Sequence, residues 1–168
     1  CDIRSSDEIR RISNRLTEFD VLVHLADNIT SSRNVVDYAT KALDLSIFGT
    51  LNLLEKCTNL EHIVYTSSYL VYGNPHSLPV NEQHPTNPQR IYSIAKLAAE
   101  KTLILYSKEF RIPVTILRSS SGYGPGTPEN HLIPQVINRA IRDEDIFIFG
   151  NGSDSRDYIR SEEHTSEL

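Results

Sequence analysis

The chain has 168 residues, 39% of them hydrophobic and 23% charged, with a formal net charge of −5. A mean hydropathy of −0.34 and a pI near 5.7 exclude a disordered chain and a basic protein that grips nucleic acid or an anionic membrane. No apolar run reaches the ~18–20 residues of a membrane helix; two cysteines, Cys1 and Cys57, and six scattered histidines build neither a disulfide framework nor a metal site.

Residues 1–20 are charged rather than apolar, unlike a secretory leader, so the chain reads as a soluble cytoplasmic protein. Ser5 to Leu16 spaces Ile9, Ile12 and Leu16 for a helix behind a Ser/Asp start that can cap it. Val21 to Ala26 is a short apolar run suited to a strand buried on both faces. A polar loop from Asp27 to Asn34 follows, then a long helix over about Val36 to Cys57, striped by Leu43, Ile47, Leu51 and Leu54. His62 to Thr66 is a second strand, ending in Ser67-Ser68. Gly73 to Arg90 holds Pro75, Pro79, Pro85 and Pro88 and must be loop.

Tyr92 to Phe110 reads as a helix, Pro113 to Arg118 as a strand, and Gly122 to Pro128 as a Gly/Pro loop. Leu132 to Arg142 is helical, and Ile146 to Phe149 is a short strand stopped by Gly150-Asn151-Gly152. Strands alternating with helices of this length predict an α/β fold, a doubly wound parallel sheet of the Rossmann-like kind. In such sheets the chemistry sits at the carboxyl ends of the strands, which directs attention to Leu25–Asp27, Ser67–Gly73, Arg118–Gly126 and Gly150 onward.

Tyr92-Ser-Ile-Ala-Lys96 places a phenol and an ammonium one helical turn apart. A phenol with a reference pKa of ~10 is a poor base at neutral pH, and lowering it by about three units needs roughly 4 kcal/mol. One ammonium at ~4 Å supplies an energy of that order at an effective dielectric of ~20. Taken alone, the pair equally fits an exposed Tyr–Lys neighbour on a helix. Ser68, at the end of the second strand, is placed to hydrogen-bond a substrate oxygen and share its proton with Tyr92, leaving hydride to a cofactor.

Seven collinear segments then resemble the extended short-chain dehydrogenase/reductase family, in its nucleotide-sugar epimerase/dehydratase group. They are Asp2-Ile3-Arg4, Val23 to Ala26, Gly49 to Glu55, Ser67-Ser68 with Val71-Tyr72-Gly73, Tyr92-Ser93 with Lys96 and Glu100, Tyr123 to Gly126, and Arg156 to Ile159. The resemblance implies NAD as cofactor, with NADP left open. It implies that Asp2 and Ile3 end a sheet strand beside the adenine, that Leu25 and Ala26 line the cofactor groove, and that Ser67, Tyr92, Lys96 and Ser120 border the cofactor. It further implies that Ser68, Ser121, Asn130, His131, Phe147, Phe149 and Arg156 meet a nucleotide-sugar substrate. Arg156 suits a bidentate phosphate contact, although such a residue is also a common solvated charge.

Ser46 and Ser121 stand where the family usually has Asn. Sugar dehydratases of this pattern carry an Asp-Glu pair after the catalytic hydroxyl; here Tyr69 and Leu70 stand there, which disfavours water loss. The expected activity is therefore epimerisation of a nucleotide sugar, of the UDP-glucose/UDP-galactose type, with Ser68, Tyr92 and Lys96 catalytic. A keto-sugar reductase and a non-catalytic dinucleotide-binding protein stay open beside it. The resemblance also implies a homodimer through the helices matching Val36–Cys57 and Tyr92–Phe110, with Leu103, Ile104 and Leu105 suited either to that face or to the core.

Residues 160–168 match the translation of a sequencing-library adapter, so they are expected to be an artefact tail on an internal piece of a longer protein. On that reading, 1–118 is a partial NAD-binding domain lacking the first βαβ unit with its Gly-rich loop, and 119–159 begins the substrate-binding part. Such a piece alone is expected to show little or no activity.

Overall fold

The structure, a computed structural model, describes residues 1–27, 34–148, 150–153 and 155–162. They divide into two compact units, Cys1–Arg118 and Ser119–Leu168.

The first unit opens with two short helices, α1 (Ser6–Arg11) and α2 (Ser13–Leu16). Ser5 caps α1 by accepting from the Glu8 backbone N–H, and Ile9 is the residue α1 buries. Strand β1 (Val21–His24) leads to α3 (Val35–Leu43), whose N-cap Asn34 accepts from the N–H groups of Val36 and Asp37. A π-helical stretch, Asp44–Gly49, joins α3 to α4 (Thr50–Lys56) without a break. The long helix expected from the leucine stripe therefore forms, with a widened turn in its middle. Thr50 Oγ1 donates to Ser46 O at 2.7 Å in that turn, drawing a carbonyl away from the regular ladder. Gly49 lies so close to Ile3 that a Cβ there would sit 2.8 Å from two of its side-chain carbons.

Strand β2 (His62–Ser68) runs into a 3₁₀ turn, Tyr69–Tyr72, capped by Ser68. The Pro-rich loop follows, then α5 (Ile91–Phe110) and β3 (Val114–Ser119). Strands β1 and β2 pair in parallel, Leu22 opposite Ile63 and His24 opposite Tyr65, and the sheet order is β1-β2-β3. Each connection is a helical crossover, as parallel pairing requires. The core gathers Leu54, Cys57, Leu60, Ile63, Tyr65, Ala99 and Leu103, flanked by Leu22, Val114 and Ile116.

Burial alternates along the strands. Val21 and Val23 remain exposed, so among the described residues β1 is covered on one face rather than the two expected. Helix α5 buries the i, i+3, i+4, i+7 stripe Lys96, Ala99, Glu100 and Leu103. Leu103 therefore belongs to the core, while Leu105, two residues on and on another side of the helix, is 66% exposed.

The second unit holds β4 (Ser121–Tyr123), α6 (Leu132–Ile141) and β5 (Tyr158–Arg160). Strands β4 and β5 pair in parallel, Ser121 opposite Tyr158. The strand expected at Ile146 to Phe149 is a correction: residues 146–148 form no ladder and their side chains are exposed, whereas Phe149 lies outside the described residues. An apolar alternation without a backbone partner does not make a strand. The partner of β4 is instead Tyr158–Arg160, whose last residue was expected to open the artefact tail.

Candidate active site

In the first unit the polar side chains collect at the carboxyl end of β2. Two ionisable groups, Lys96 and Glu100, occupy the apolar stripe of α5, and each is buried with partners. The Lys96 ammonium donates to Thr66 O at 2.8 Å, lies 3.3 Å from Asp27 Oδ2, and sits 5.0 Å from the Tyr65 ring centre. Burial pulls its pKa below the usual lysine value, and the Asp27 charge opposes that effect. Glu100 is 0% exposed and is held by Arg118, through Nε at 3.0 Å and Nη2 at 2.6 Å, and by the Ser67 hydroxyl. Arg118 also donates to Tyr72 Oη at 2.9 Å. These bonds pin the last residues of β2 and the following 3₁₀ turn to α5.

Tyr92 sits one turn before Lys96 and is half-buried. Its hydroxyl donates to Asp27 Oδ2 at 2.7 Å, and the Lys96 ammonium lies 5.8 Å from its ring centre. The expectation that Lys96 lowers the phenol pKa is corrected here. Burial pushes the phenol up, and the Asp27 carboxylate, accepting its proton, pushes it further. Asp27 also neutralises the ammonium that was expected to act on Tyr92.

Ser68, 8% exposed, ends β2 and accepts from the Leu70 N–H at 3.2 Å. Strand alternation turns the neighbouring Ser67 the other way, into the Glu100 network. The Ser67 hydroxyl donates to the buried Glu100 carboxylate. His24 packs edge-on to Tyr65 and bonds Thr50 Oγ1 at 2.9 Å. Because the Thr50 proton goes to Ser46 O, His24 donates from Nε2, which leaves Nδ1 as a buried atom without a bond among the described residues. Burial first and the Lys96 charge second pull His24 down to about 4, so it is neutral at pH 7.

Asp2 and Ile3 form a turn closed by Ser5 N and Asp2 O, not the strand end expected of them. The reason is local: Arg4 takes the Asp2 carboxylate and holds it down at about 2, while Asn52 Nδ2 donates to Ile3 O at 2.9 Å. Leu25, 65% exposed, and Ala26 follow β1 in the open.

In the second unit, Ser121, Asn130, His131 and Arg156 line one cavity of about 380 Å³, together with Tyr158 and the first turn of α6. Phe147 is not among them. It lines a second cavity of about 390 Å³ with Leu132 and Gln135, and the Arg139 guanidinium stacks over its ring at 5.3 Å. Ser120 Oγ is buried with no bond among the described residues. Phe149 lies outside the described residues.

The NAD dependent epimerase/dehydratase family profile matches residues 1–166. The chain belongs to that family. The relatives span two reactions. One is a UDP-glucose 4-epimerase of Mycolicibacterium smegmatis, 32% identical over 152 residues, covering 86% of this chain and 48% of the relative. Another is a dTDP-D-glucose 4,6-dehydratase of Dictyostelium discoideum, 32% identical over 155 residues, covering 84% of this chain and 36% of the relative. Among solved structures, a UDP-glucose 4-epimerase of Thermotoga maritima with UDP-glucose is similar with a TM-score of 0.85 and 27% identity, covering 98% of this chain and 55% of that one. The chain spans about half the length of the curated epimerases that it matches. Among the described residues no helix is long and apolar enough to cross a membrane.

Asp27 and the Glu100–Arg118 pair are the site features that residue-by-residue reading missed. Asp27 directly follows an apolar strand end, the one signal that pointed to it. Arg118 also stands at a strand end, but its pairing with Glu100 left no local signal, because the two lie on different elements 18 residues apart.

Proposed function

We propose that this chain serves the NAD-dependent epimerisation of a nucleotide sugar, of the UDP-glucose/UDP-galactose type, in the cytoplasm. The observation that carries the reading is the anchoring of Lys96 to Thr66 O at the carboxyl end of β2, two residues before Ser68 and one helical turn after Tyr92. Tyr69 and Leu70, in place of a carboxylic pair, favour this over the dehydration that some relatives perform. The residues fit NAD. Exposed Leu25 and Ala26 at the end of β1 offer an apolar rim.

When bound, NAD supplies a hydride acceptor that returns the hydride within one turnover. Ser68 hydrogen-bonds the sugar hydroxyl and orients it, and Tyr92 takes and gives back its proton. Lys96 has two of its donors on Thr66 O and Asp27, and its third N–H holds a ribose hydroxyl. Arg156 holds a phosphate of the nucleotide, with Ser121, Asn130 and His131 around the same cavity. Positive Arg156 and the N-terminal turn of α6 suit an anion there. Phe147 stays a candidate for the sugar or base only through its exposed ring, 68% accessible. The exposed Phe48, Leu51 and Leu105 on the helices around α5 supply apolar area for a homodimer.

The test is product analysis with the full-length protein and UDP-glucose in deuterated water. Epimerisation gives UDP-galactose carrying no solvent deuterium on carbon and no net change in NADH. Stoichiometric consumption of NADPH with a keto-sugar, and no interconversion of the two UDP-sugars, would establish a reductase instead.

A further inference from the structure

Glu100 stands one turn after Lys96 and two turns after Tyr92, in the same row along α5. Its Oε1 accepts from the Ser67 hydroxyl and from Arg118 Nε at 3.0 Å, and its Oε2 accepts from Arg118 Nη2 at 2.6 Å. The remaining guanidinium nitrogen, Nη1, donates to Tyr72 Oη at 2.9 Å, and the guanidinium carbon lies 4.8 Å from the Tyr72 ring centre. Ser67 and Tyr72 flank Ser68 in the chain. One ion pair therefore holds the backbone on both sides of that residue. Two further bonds hold the same stretch: Lys96 donates to Thr66 O at 2.8 Å, and the Asn87 N–H donates to Val71 O at 3.0 Å.

An ion pair in an apolar interior is a poor source of stability, because apolar side chains of similar volume often serve as well or better. What apolar contact does not supply is direction. A guanidinium fork on a carboxylate fixes the angle as well as the distance between the elements that carry them. The pair lies where that matters, between the helix that carries Tyr92 and the strand end that carries Ser68.

We propose that Glu100 and Arg118 are positioning residues for turnover: by clamping Ser67 and Tyr72 to α5, they set where the Ser68 hydroxyl stands relative to Tyr92. The inference rests on the reading of Ser68 and Tyr92 as the groups that handle the sugar hydroxyl. Neither member of the pair exchanges a proton with the sugar. A reacting group misplaced by about 1 Å can slow a reaction by about 10²-fold. The loss falls on kcat, since the interaction is realised in the reacting geometry rather than in substrate binding.

Two variants of the full-length protein with NAD bound test it, with UDP-glucose as substrate, calorimetry for Tm, and rates taken well below Tm. Glu100→Met/Arg118→Met keeps Tm within about 4 °C of wild type, because apolar volume replaces the pair. Its kcat is nevertheless lower by about tenfold or more, with KM within about twofold. Arg118→Lys keeps the charge, but one ammonium cannot bridge both Glu100 oxygens and Tyr72 Oη; its kcat also falls by about tenfold, again at nearly constant KM.

A pair that served only the fold would change Tm and leave the rate of the folded enzyme alone. Either variant, folded and with kcat within about fivefold of wild type, overturns the proposal, and so does a loss that appears in KM while kcat is kept. Should the double variant not fold, Arg118→Lys decides alone. Full turnover in Tyr92→Phe is the separate result that would remove the underlying function.

Discussion

Glu100→Ala is the perturbation that most sharply probes how the site is held. The carboxylate is 0% exposed and accepts from Arg118 at 3.0 and 2.6 Å and from Ser67. Removing it leaves a guanidinium whose side chain is 20% exposed, with Tyr72 Oη at 2.9 Å as its best remaining acceptor. Breaking a buried ion pair from one side costs about 3–5 kcal/mol. Partial exposure of Arg118 and its bond to Tyr72 place the expected loss near the lower end, about 3 kcal/mol. For a chain of this size each kcal/mol moves Tm by about 2–4 °C, so Tm falls by about 6–12 °C in calorimetry. The double variant Glu100→Met/Arg118→Met removes both charges and replaces them with apolar volume, and it recovers most of the loss. A Tm for Glu100→Ala within about 2 °C of wild type would refute the reasoning, because the pair would then contribute no more than an exposed one.

Other consequences are equally direct. His24, pulled to about 4 and 3% exposed, binds fewer protons than in the unfolded chain between its two pKa values. Stability is therefore complete above the unfolded value of ~6.5 and falls, by up to about 3 kcal/mol, as pH drops toward 4; urea midpoints of wild type and His24→Gln at pH 7 and pH 5 check this, and an equal pH dependence in both would contradict it. Gly73 has φ +66, and a Cβ there would meet Asn87 O at 2.0 Å; Gly73→Ala should destabilise by about 2 kcal/mol or more, read from the urea midpoint. Cys57 is buried with its thiol pushed up by burial, whereas Cys1 is exposed. One thiol should react with a chromogenic disulfide in native protein and the second only in denaturant; rapid reaction of both would show that the core around Leu54 and Leu60 opens easily.

Local periodicity was enough to find β1, β2 and β3 and to place α5 within a residue of Ile91–Phe110, because each is an apolar run or stripe bounded by turn residues. The π turn at Asp44–Gly49 was not legible, since it depends on a Thr50–Ser46 bond and on close packing of Gly49 against Ile3. Strands β4 and β5 are three residues each and exist only through one another. At the site, the Tyr92/Lys96 spacing was visible in the sequence. Their ionisation was not, because it depends on burial first and then on Asp27, 65 residues before Tyr92. Ser67 and Ser68 look interchangeable as letters; strand alternation and the buried Glu100 separate them. Asn130, His131 and Arg156 line one cavity although Arg156 lies 25 residues beyond His131, while Phe147, between them in the chain, lines another.

The most direct measurement is turnover of UDP-glucose to UDP-galactose by full-length Tyr92→Phe, with its fold checked by circular dichroism. Loss of the phenolic proton carrier should lower kcat by about 10²–10⁴-fold while substrate binding is kept. A folded Tyr92→Phe enzyme within about tenfold of wild type would place the acid–base elsewhere and contradict the account.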